Sequence, residues 1–300
     1  MTSDPWTTTA PPAPTRIGPA TFVWGQCTFI MGILNVTPDS FSGDGLLAGT
    51  DPVGHAVATA RRMVAEGADL LDVGGESTRP GHASVDTAEE IARIVPVIAA
   101  VAAALPAIPI SVDTSKRAVA EAALAAGAHL LNDIWGTGPE SGEMATVAAE
   151  AGVPLIVMHN RAEARYEGDV VTELLADLSA ALDRAIAAGV PATDLIVDPG
   201  IGFGKTVDHN VTVLRHLDAL KTLGRPVLLG TSRKSTLGRI LDLPVEERLE
   251  ATLATTALGI AAGVDIVRVH DVGPNVRAAR VSDAIVRGHW RADAGDGARS

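Results

Sequence analysis

Four stretches of this chain repeat one pattern. A Gly ends an Ala-rich helical segment, a short apolar run follows, and the run stops at a polar residue. EGADLLDVGG, AGAHLLNDIW, AGVPLIVMHN and AGVDIVRVHD, at 66–75, 126–135, 151–160 and 262–271, all obey it. A Gly in that place can take the left-handed conformation that terminates a helix, and a short continuous apolar run reads as a strand buried on both faces. ATDLIVDPG after Gly189 and GRPVLLGTS from Gly224 follow the same pattern with a different lead-in. TFIMGILNVT and IPISVDTS bring the expected strands to eight.

Between them, TAEEIARIVPVIAAVAAAL, KRAVAEAALAAGA and TELLADLSAALDRAIAAG carry apolar residues at helical spacing with polar residues opposite. Strand and helix alternate throughout, which implies a parallel sheet covered by helices; right-handed crossovers repeated eight times can close into a (β/α)8 TIM barrel. An open, doubly wound sheet is the rival arrangement. No linker interrupts residues 21–290, so a single α/β domain is expected there, flanked by disordered tails at 1–20 and 291–300. TFVWGQCTF is a candidate hairpin plugging the bottom of the barrel.

Composition narrows the function. With 24 Lys and Arg against 36 Asp and Glu, the net charge is −12, which argues against nucleic-acid or membrane-surface partners, since both favour a basic face. An anionic ligand would need locally placed positive charge. The one cysteine, Cys27, excludes an intrachain disulfide and a cysteine-based zinc site, in keeping with a reducing, cytoplasmic setting, and reads as a small apolar strand residue. The Thr- and Pro-rich start lacks the basic and apolar regions of a signal peptide, and no run reaches the length of a membrane span.

In a barrel of this kind the active site lies where the strands end. In chain order those ends carry Asn35, Asp72, Asp113, Asn132, Met158 with His159, Asp198, then Ser232 with Arg233 and Lys234, and Arg268 with His270. One polar strand end is unremarkable, and each carboxylate taken singly could equally cap the next helix, as Asp113 might before Thr114 and Ser115. Eight such ends in succession make a site. Gly200 to Thr206 looks superficially like a phosphate-binding P-loop, but Pro199 occupies the required first Gly position, so that reading fails. His55, His129 and His209 lack paired ligand spacing and read as surface or packing residues.

TFIMGILNVTPDSFSGDG, DVGGESTRPGH, SVDTSK, LLNDIWG, LIVMHN, DPGIGFGKT, GTSRKS and RVHDV, taken in order from Thr28 to Val272, resemble the signature segments of bacterial dihydropteroate synthases. The resemblance implies condensation of 6-hydroxymethyl-7,8-dihydropterin pyrophosphate with 4-aminobenzoate, aided by Mg2+, in a chain that is commonly a homodimer. It places the pterin on Asp113, Asn132, Asp198 and Lys234, with Arg268 over the ring, Ile134, Met158 and Phe203 as walls, and Gly230 beside it. Pyrophosphate would meet Asn35, Thr78, Arg79, Arg268 and His270, with Asn35 also the magnesium ligand. Phe41, Thr78, Arg79, Pro80 and Ser232 would receive 4-aminobenzoate. The segments 37–45 and 76–81 hold Pro and Gly among polar residues, as mobile lids do. Asp72 is expected only to make a structural hydrogen bond. This chain reads SGDG at 42–45 where many relatives read SDGG, so no role carries onto Asp44.

Asn35, Asp113, Lys234, Arg268 and His270 are thus the expected catalytic set. Two rivals remain. A pterin-dependent methyltransferase barrel would not need the TPDSF, ESTRPG and GTSRKS loops together, and a catalytically silent paralogue would have no reason to keep Asn35, Arg79, Lys234 and Arg268.

Overall fold

A computed structural model describes residues 10–36, 51–76, 85–138 and 141–288 of the 300. An antiparallel hairpin, β1 (Thr15–Ile17) and β2 (Ala20–Phe22), precedes the barrel. Eight parallel strands follow: β3 (Phe29–Asn35), β4 (Leu70–Gly74), β5 (Ile110–Asp113), β6 (Leu130–Asp133), β7 (Leu155–Met158), β8 (Leu195–Asp198), β9 (Leu228–Leu229) and β10 (Ile266–Val269). The helices between and after them are α1 (Pro52–Glu66), α2 (Thr87–Ala104), α3 (Arg117–Ala125), α4 (Ser141–Ala151), α5 (Val170–Ala187), α6 (Val207–Arg215), α7 (Ser235–Leu241), α8 (Leu249–Ala261) and α9 (Val272–Val286).

Sheet order runs β8-β7-β6-β5-β4-β3-β10-β9, so the first and last strands lie side by side. A parallel bridge between Val197 and Val227, with Val197 N donating to Pro226 O at 2.9 Å, joins the two edges. That closure excludes the open sheet. The repeated Gly acts as expected: Gly67, Gly127, Gly152, Gly189, Gly224 and Gly263 all have positive φ before their strands. Helix starts use side chains from the preceding loops, with Asp51 accepting from Gly54 N, Asp169 from Thr172 N, and Thr206 and His209 forming a capping box.

Alternation along the strands divides the core in two. Ile30, Leu34, Leu71, Val73, Ile110, Val112, Leu131, Val157, Leu195, Val197, Val267 and Val269 pack with the helices in the larger cluster. Met31, Leu70, Leu130, Ile156, Ile196, Leu228 and Ile266 form the smaller cluster with Ile17, Phe22 and Trp24 of the N-terminal segment. The barrel therefore has an apolar floor sealed from below. Ser111 of β5 lies in register with Leu130 of that floor and is fully buried.

The hairpin begins at Thr15, inside the stretch expected to be a disordered tail, and its strands lie upstream of most of TFVWGQCTF. The signal was weak because the Thr- and Pro-rich composition hides one alternating pair: Thr15 and Ile17 are both fully buried. Gly18 turns the hairpin at φ 52, where a Cβ would stand 2.3 Å from the His129 ring, so this turn requires glycine. Cys27 lies at a bend before β3, not in a strand as its sequence suggested. Residues 1–9 of the tail expected at 1–20, and all of the tail expected at 291–300, lie outside the described residues.

Trp24 is 2% exposed, stacks 5.7 Å from Phe22, meets Phe29 edge-on at 5.5 Å and donates Nε1 to Thr15 Oγ1 at 3.0 Å. Trp24→Ala is predicted to cost about 3–5 kcal/mol of stability, as large aromatic deletions in cores do. Denaturant unfolding checks this; a loss under about 1 kcal/mol would place the plug outside the cooperative core.

Candidate active site

Two residues beyond most floor positions, the same face of the strand turns polar or empty, although Met31 leads to Ile33 and Ile156 to Met158. Leu70 leads to Asp72, Ser111 to Asp113, Leu130 to Asn132, Ile196 to Asp198, Leu228 to Gly230 and Ile266 to Arg268. A period of two puts the members of each pair on one face of the sheet, so the residues above the floor share the barrel mouth.

Arg268 organises this layer. Its Nε donates to Asp72 Oδ2 and its Nη2 to Asp113 Oδ2, each at 2.5 Å, while Asn132 Nδ2 also donates to Asp72 Oδ2 at 3.1 Å. Asp72 is fully buried, and Asp113 and Asn132 nearly so. Five buried side-chain polar atoms among the described residues find no partner, and four belong here: Asp72 Oδ1, Asp113 Oδ1, Asn132 Oδ1 and Ser111 Oγ. Leaving a buried acceptor unsatisfied costs about 1–3 kcal/mol, so this concentration marks a place built to face N–H or O–H donors. Burial pushes the Asp113 carboxyl up to about 7 against the pull of Arg268, and also raises Asp198. Arg268, held between carboxylates, stays above the usual guanidinium range despite its own burial.

The opposite wall comes from β8 and the loops beyond it. Asp198 Oδ1 accepts from Gly200 N at 2.7 Å. Lys234, at the N-cap of α7, donates Nζ to Ile201 O and stands 4.2 Å from the centroid of the Phe203 ring. Burial pulls its ammonium down to about 8, with Asp198 and Asp113 opposing. Gly230 leaves the floor open between the two halves: a Cβ there would lie 3.9 Å from both Arg268 Cβ and Asp198 Oδ2. Met158 is buried beside the loop, its Cγ 3.3 Å from where a Cβ on Gly200 would stand.

Of the residues expected from sequence, the structure thus brings together Asp113, Asn132, Met158, Asp198, Phe203, Gly230, Lys234 and Arg268. Ile134 lies in the turn after β6, its carbonyl taken by Asn160 Nδ2. Asn35 ends β3 next to Gly74, where an added Cβ would lie 3.9 Å from Asn35 Oδ1 and 3.8 Å from Asp113 Oδ2. Ser232 Oγ is 3.0 Å from His270 Nδ1 and accepts from His270 N at 3.1 Å, so two residues assigned to different ligands form one contact. Phe41, Asp44, Thr78, Arg79 and Pro80 lie outside the described residues. Asp113 caps no helix: the N-cap of α3 is Lys116, without a side-chain hydrogen bond.

Sequence reasoning understated Asp72, which makes the expected hydrogen bonds but does so to Arg268 and Asn132 inside the site. It passed over Ser111, although Ser two residues before a site carboxylate in a buried strand was a readable signal. His159 and Lys205 were also missed as a pair. His159 is fully buried between Lys205 Nζ, 2.9 Å from Nδ1, and Asp177 Oδ2, 3.1 Å from Nε2. Burial lowers His159 to about 3 and Lys205 to about 7. No residue spacing marks such a contact in advance, because its members come from three separate loops and helices.

Comparison with known proteins shows what the whole chain resembles. The family described as pterin binding enzyme matches residues 31–270. The dihydropteroate synthase of Clostridium beijerinckii is 50% identical over 273 residues, 91% of this chain and 99% of its own length. A crystal structure of dihydropteroate synthase from Clostridium difficile, solved in the presence of pteroic acid, superposes with a TM-score of 0.84 at 47% identity, covering 89% of this chain and 99% of that one. The Xanthomonas albilineans enzyme with 4-aminobenzoic acid gives 0.81 at 42% identity, covering 87% and 94%.

The raised Asp113 carboxyl has a measurable consequence for stability. A carboxyl that titrates near 7 when folded and near 3.8 when unfolded weakens the fold progressively as pH rises between those values. Asp113→Asn removes that titration, so the stability of the variant relative to wild type is predicted to improve from pH 4.5 to pH 8. Thermal melts at both pH values test it, and a difference that stays constant or moves the other way would refute the shift.

Proposed function

Because the chain belongs to the pterin-binding enzymes and, within them, to the dihydropteroate synthase family, we propose the following division of labour among its residues. The reaction is the condensation of 6-hydroxymethyl-7,8-dihydropterin pyrophosphate with 4-aminobenzoate to give 7,8-dihydropteroate and pyrophosphate. The observation that carries this reading is the set of unpartnered oxygens on Asp72, Asp113 and Asn132. A pterin edge supplies the paired N–H donors that such oxygens accept. Lys234 donates to the ring from the other side, Phe203 and Met158 give apolar contact, and the Arg268 guanidinium lies along the ring.

The C–O bond from the methylene carbon to pyrophosphate breaks, and the amine nitrogen forms the new C–N bond and then loses a proton. The aromatic amine is neutral near pH 7, so no strong base is required, and none is supplied by His159, which is turned toward Lys205 and Asp177. Asp113 and Asp198 place negative charge near a pterin that becomes electron-poor as pyrophosphate departs. That attraction is greater in the transition state than in the ground state. Ser232 and His270, joined at the end of β10, are suited to the anionic groups of the two substrates.

Magnesium fits the donor set in one way. The described residues hold no group of three His, Cys, Asp or Glu that could cage a metal, whereas Asn35 offers one neutral oxygen, which suits an ion held mainly by substrate oxygens and water. When bound, it would neutralise the departing pyrophosphate. Asn35→Ala is therefore predicted to raise the magnesium concentration needed for half-maximal rate without abolishing turnover, while excess chelator abolishes it; full activity in chelator would sink the proposal.

Among the described residues no helix is long and apolar enough to cross a membrane, and a cytoplasmic enzyme is proposed. A homodimer is also proposed, supported by Leu258 of α8 and Val281 and Ile285 of α9, whose large aliphatic side chains are exposed on adjacent outer helices. Light scattering tests it: wild type should weigh twice the chain mass and Leu258→Lys should shift toward monomer, whereas a monomeric wild type refutes it.

The central test is a coupled pyrophosphate-release assay with both substrates. Lys234→Ala and Asp113→Asn are each predicted to lose about ten- to hundredfold in kcat/KM with the fold intact, the worth of one charge-assisted hydrogen bond. No turnover by the wild type would remove the synthase reading, and unaltered kinetics in both variants would remove the pocket assignment.

A further inference from the structure

Lys205 closes the Gly-rich segment after β8, yet its ammonium turns away from the ligand pocket. Its Nζ lies 2.9 Å from His159 Nδ1, 3.0 Å from Gly200 O and 3.0 Å from Phe203 O. Those three close acceptors, with His159 O more distant at 3.4 Å, occupy the three protons of an ammonium group. The Asp177 carboxylate, 3.1 Å from Nε2, can only accept, which puts the ring proton on Nε2 and leaves Nδ1 to accept from Lys205. Asp177, on α5, is held in turn by Nε and Nη2 of Arg161. An outer helix is thus connected through His159 to the carbonyls of a loop that faces the barrel mouth.

What that loop presents inward is specific. Its Ile201 carbonyl accepts from Lys234 Nζ, and its Phe203 ring lies 4.2 Å beneath the same ammonium. Two further ties bend it into place: Gly202 N donates to Asn210 Oδ1 at 2.7 Å and Tyr166 Oη donates to Gly204 O at 3.0 Å. Gly200 approaches so closely that a Cβ would stand 1.9 Å from His159 O. The two carbonyls bound by Lys205, at Gly200 and Phe203, bracket Ile201. Fixing them fixes the carbonyl between them and the ring that follows.

We propose that Lys205 is a positioning residue for pterin recognition: by binding His159 and the carbonyls of Gly200 and Phe203, it holds the loop in the shape that aims Lys234 at the pterin ring. The proposal rests on the functional reading above, and Lys205 itself touches no substrate. Neutral side chains of similar length keep the bulk but lose all three donors. Lys234 then loses its carbonyl and ring support and becomes free to swing, which weakens pterin binding more than it slows the bound reaction.

Lys205→Met should raise the KM for the pterin pyrophosphate about tenfold or more, the scale of one lost charge-assisted contact, with a much smaller change in kcat and in the KM for 4-aminobenzoate. Calorimetric binding of the pterin pyrophosphate should weaken in parallel, a readout that does not depend on turnover and so separates this proposal from the synthase reading. The decisive comparison is a double-mutant cycle. In a Lys234→Ala background, Lys205→Met should weaken pterin affinity several-fold less than it does in wild type, because the ammonium it supports is gone and only its hold on Phe203 remains. Asp177→Ala, which leaves Lys205 in place but frees the His159 tautomer, should reproduce the pattern at smaller amplitude and serves if Lys205→Met does not fold. Equal fold-changes in both backgrounds, or unaltered pterin affinity in the single variants, would overturn the proposal.

Discussion

Arg268 between Asp72 and Asp113 is the contact around which the barrel mouth is arranged. Removing water from such charges costs several kcal/mol per ion, and only close geometry with further hydrogen bonds offsets it. Asp72 meets that condition with one oxygen, shared by Arg268 and Asn132, while its second oxygen and one each on Asp113 and Asn132 are left facing inward. A fold optimised for stability alone would fill this space with aliphatic side chains. The layer below is mostly aliphatic, and the two layers lie only two residues apart on most strands.

That short distance explains how one scaffold serves two purposes. Met31, Leu70, Leu130, Ile156, Ile196, Leu228 and Ile266 contact one another and the N-terminal plug, so the strands are fixed from beneath. Charged residues placed above such a floor inherit its rigidity, and their positions need not be maintained by the mouth loops. Helices add a second support from outside, as the path from Asp177 through His159 and Lys205 illustrates. Preorganisation of this kind lets fixed dipoles and charges act without rearranging during reaction.

Much of this was legible in the sequence because the strands are buried on both faces. Continuous apolar runs, most of them ended by a polar residue and six preceded by a helix-ending Gly, exposed the barrel and the residues at its mouth together. Parts that depend on a single pairing were not legible. Thr15 and Ile17 form a three-residue strand that only packing under the barrel makes visible, and β9 is two residues long, its pairing completed by the bridge at Val227. Asp72 was read as structural because its two partners, Asn132 and Arg268, lie 60 and 196 residues away. Lys205 was legible only as a failed P-loop, since the acceptors that occupy it are main-chain carbonyls and a distant histidine.

Charge balance links the site to the proposed reaction. With all five groups ionised, Asp72, Asp113 and Asp198 would outnumber Arg268 and Lys234 by one negative charge. Burial raises both Asp113 and Asp198, and the Asp72 carboxylate beside Asp113 raises that group further. In the proposed binding mode, a neutral pterin would satisfy their hydrogen-bonding capacity but not that excess charge. As pyrophosphate leaves, the pterin would gain positive character in the place where the excess is held. The interaction therefore strengthens along the reaction coordinate, which is the condition for binding energy to raise the rate and not merely the affinity.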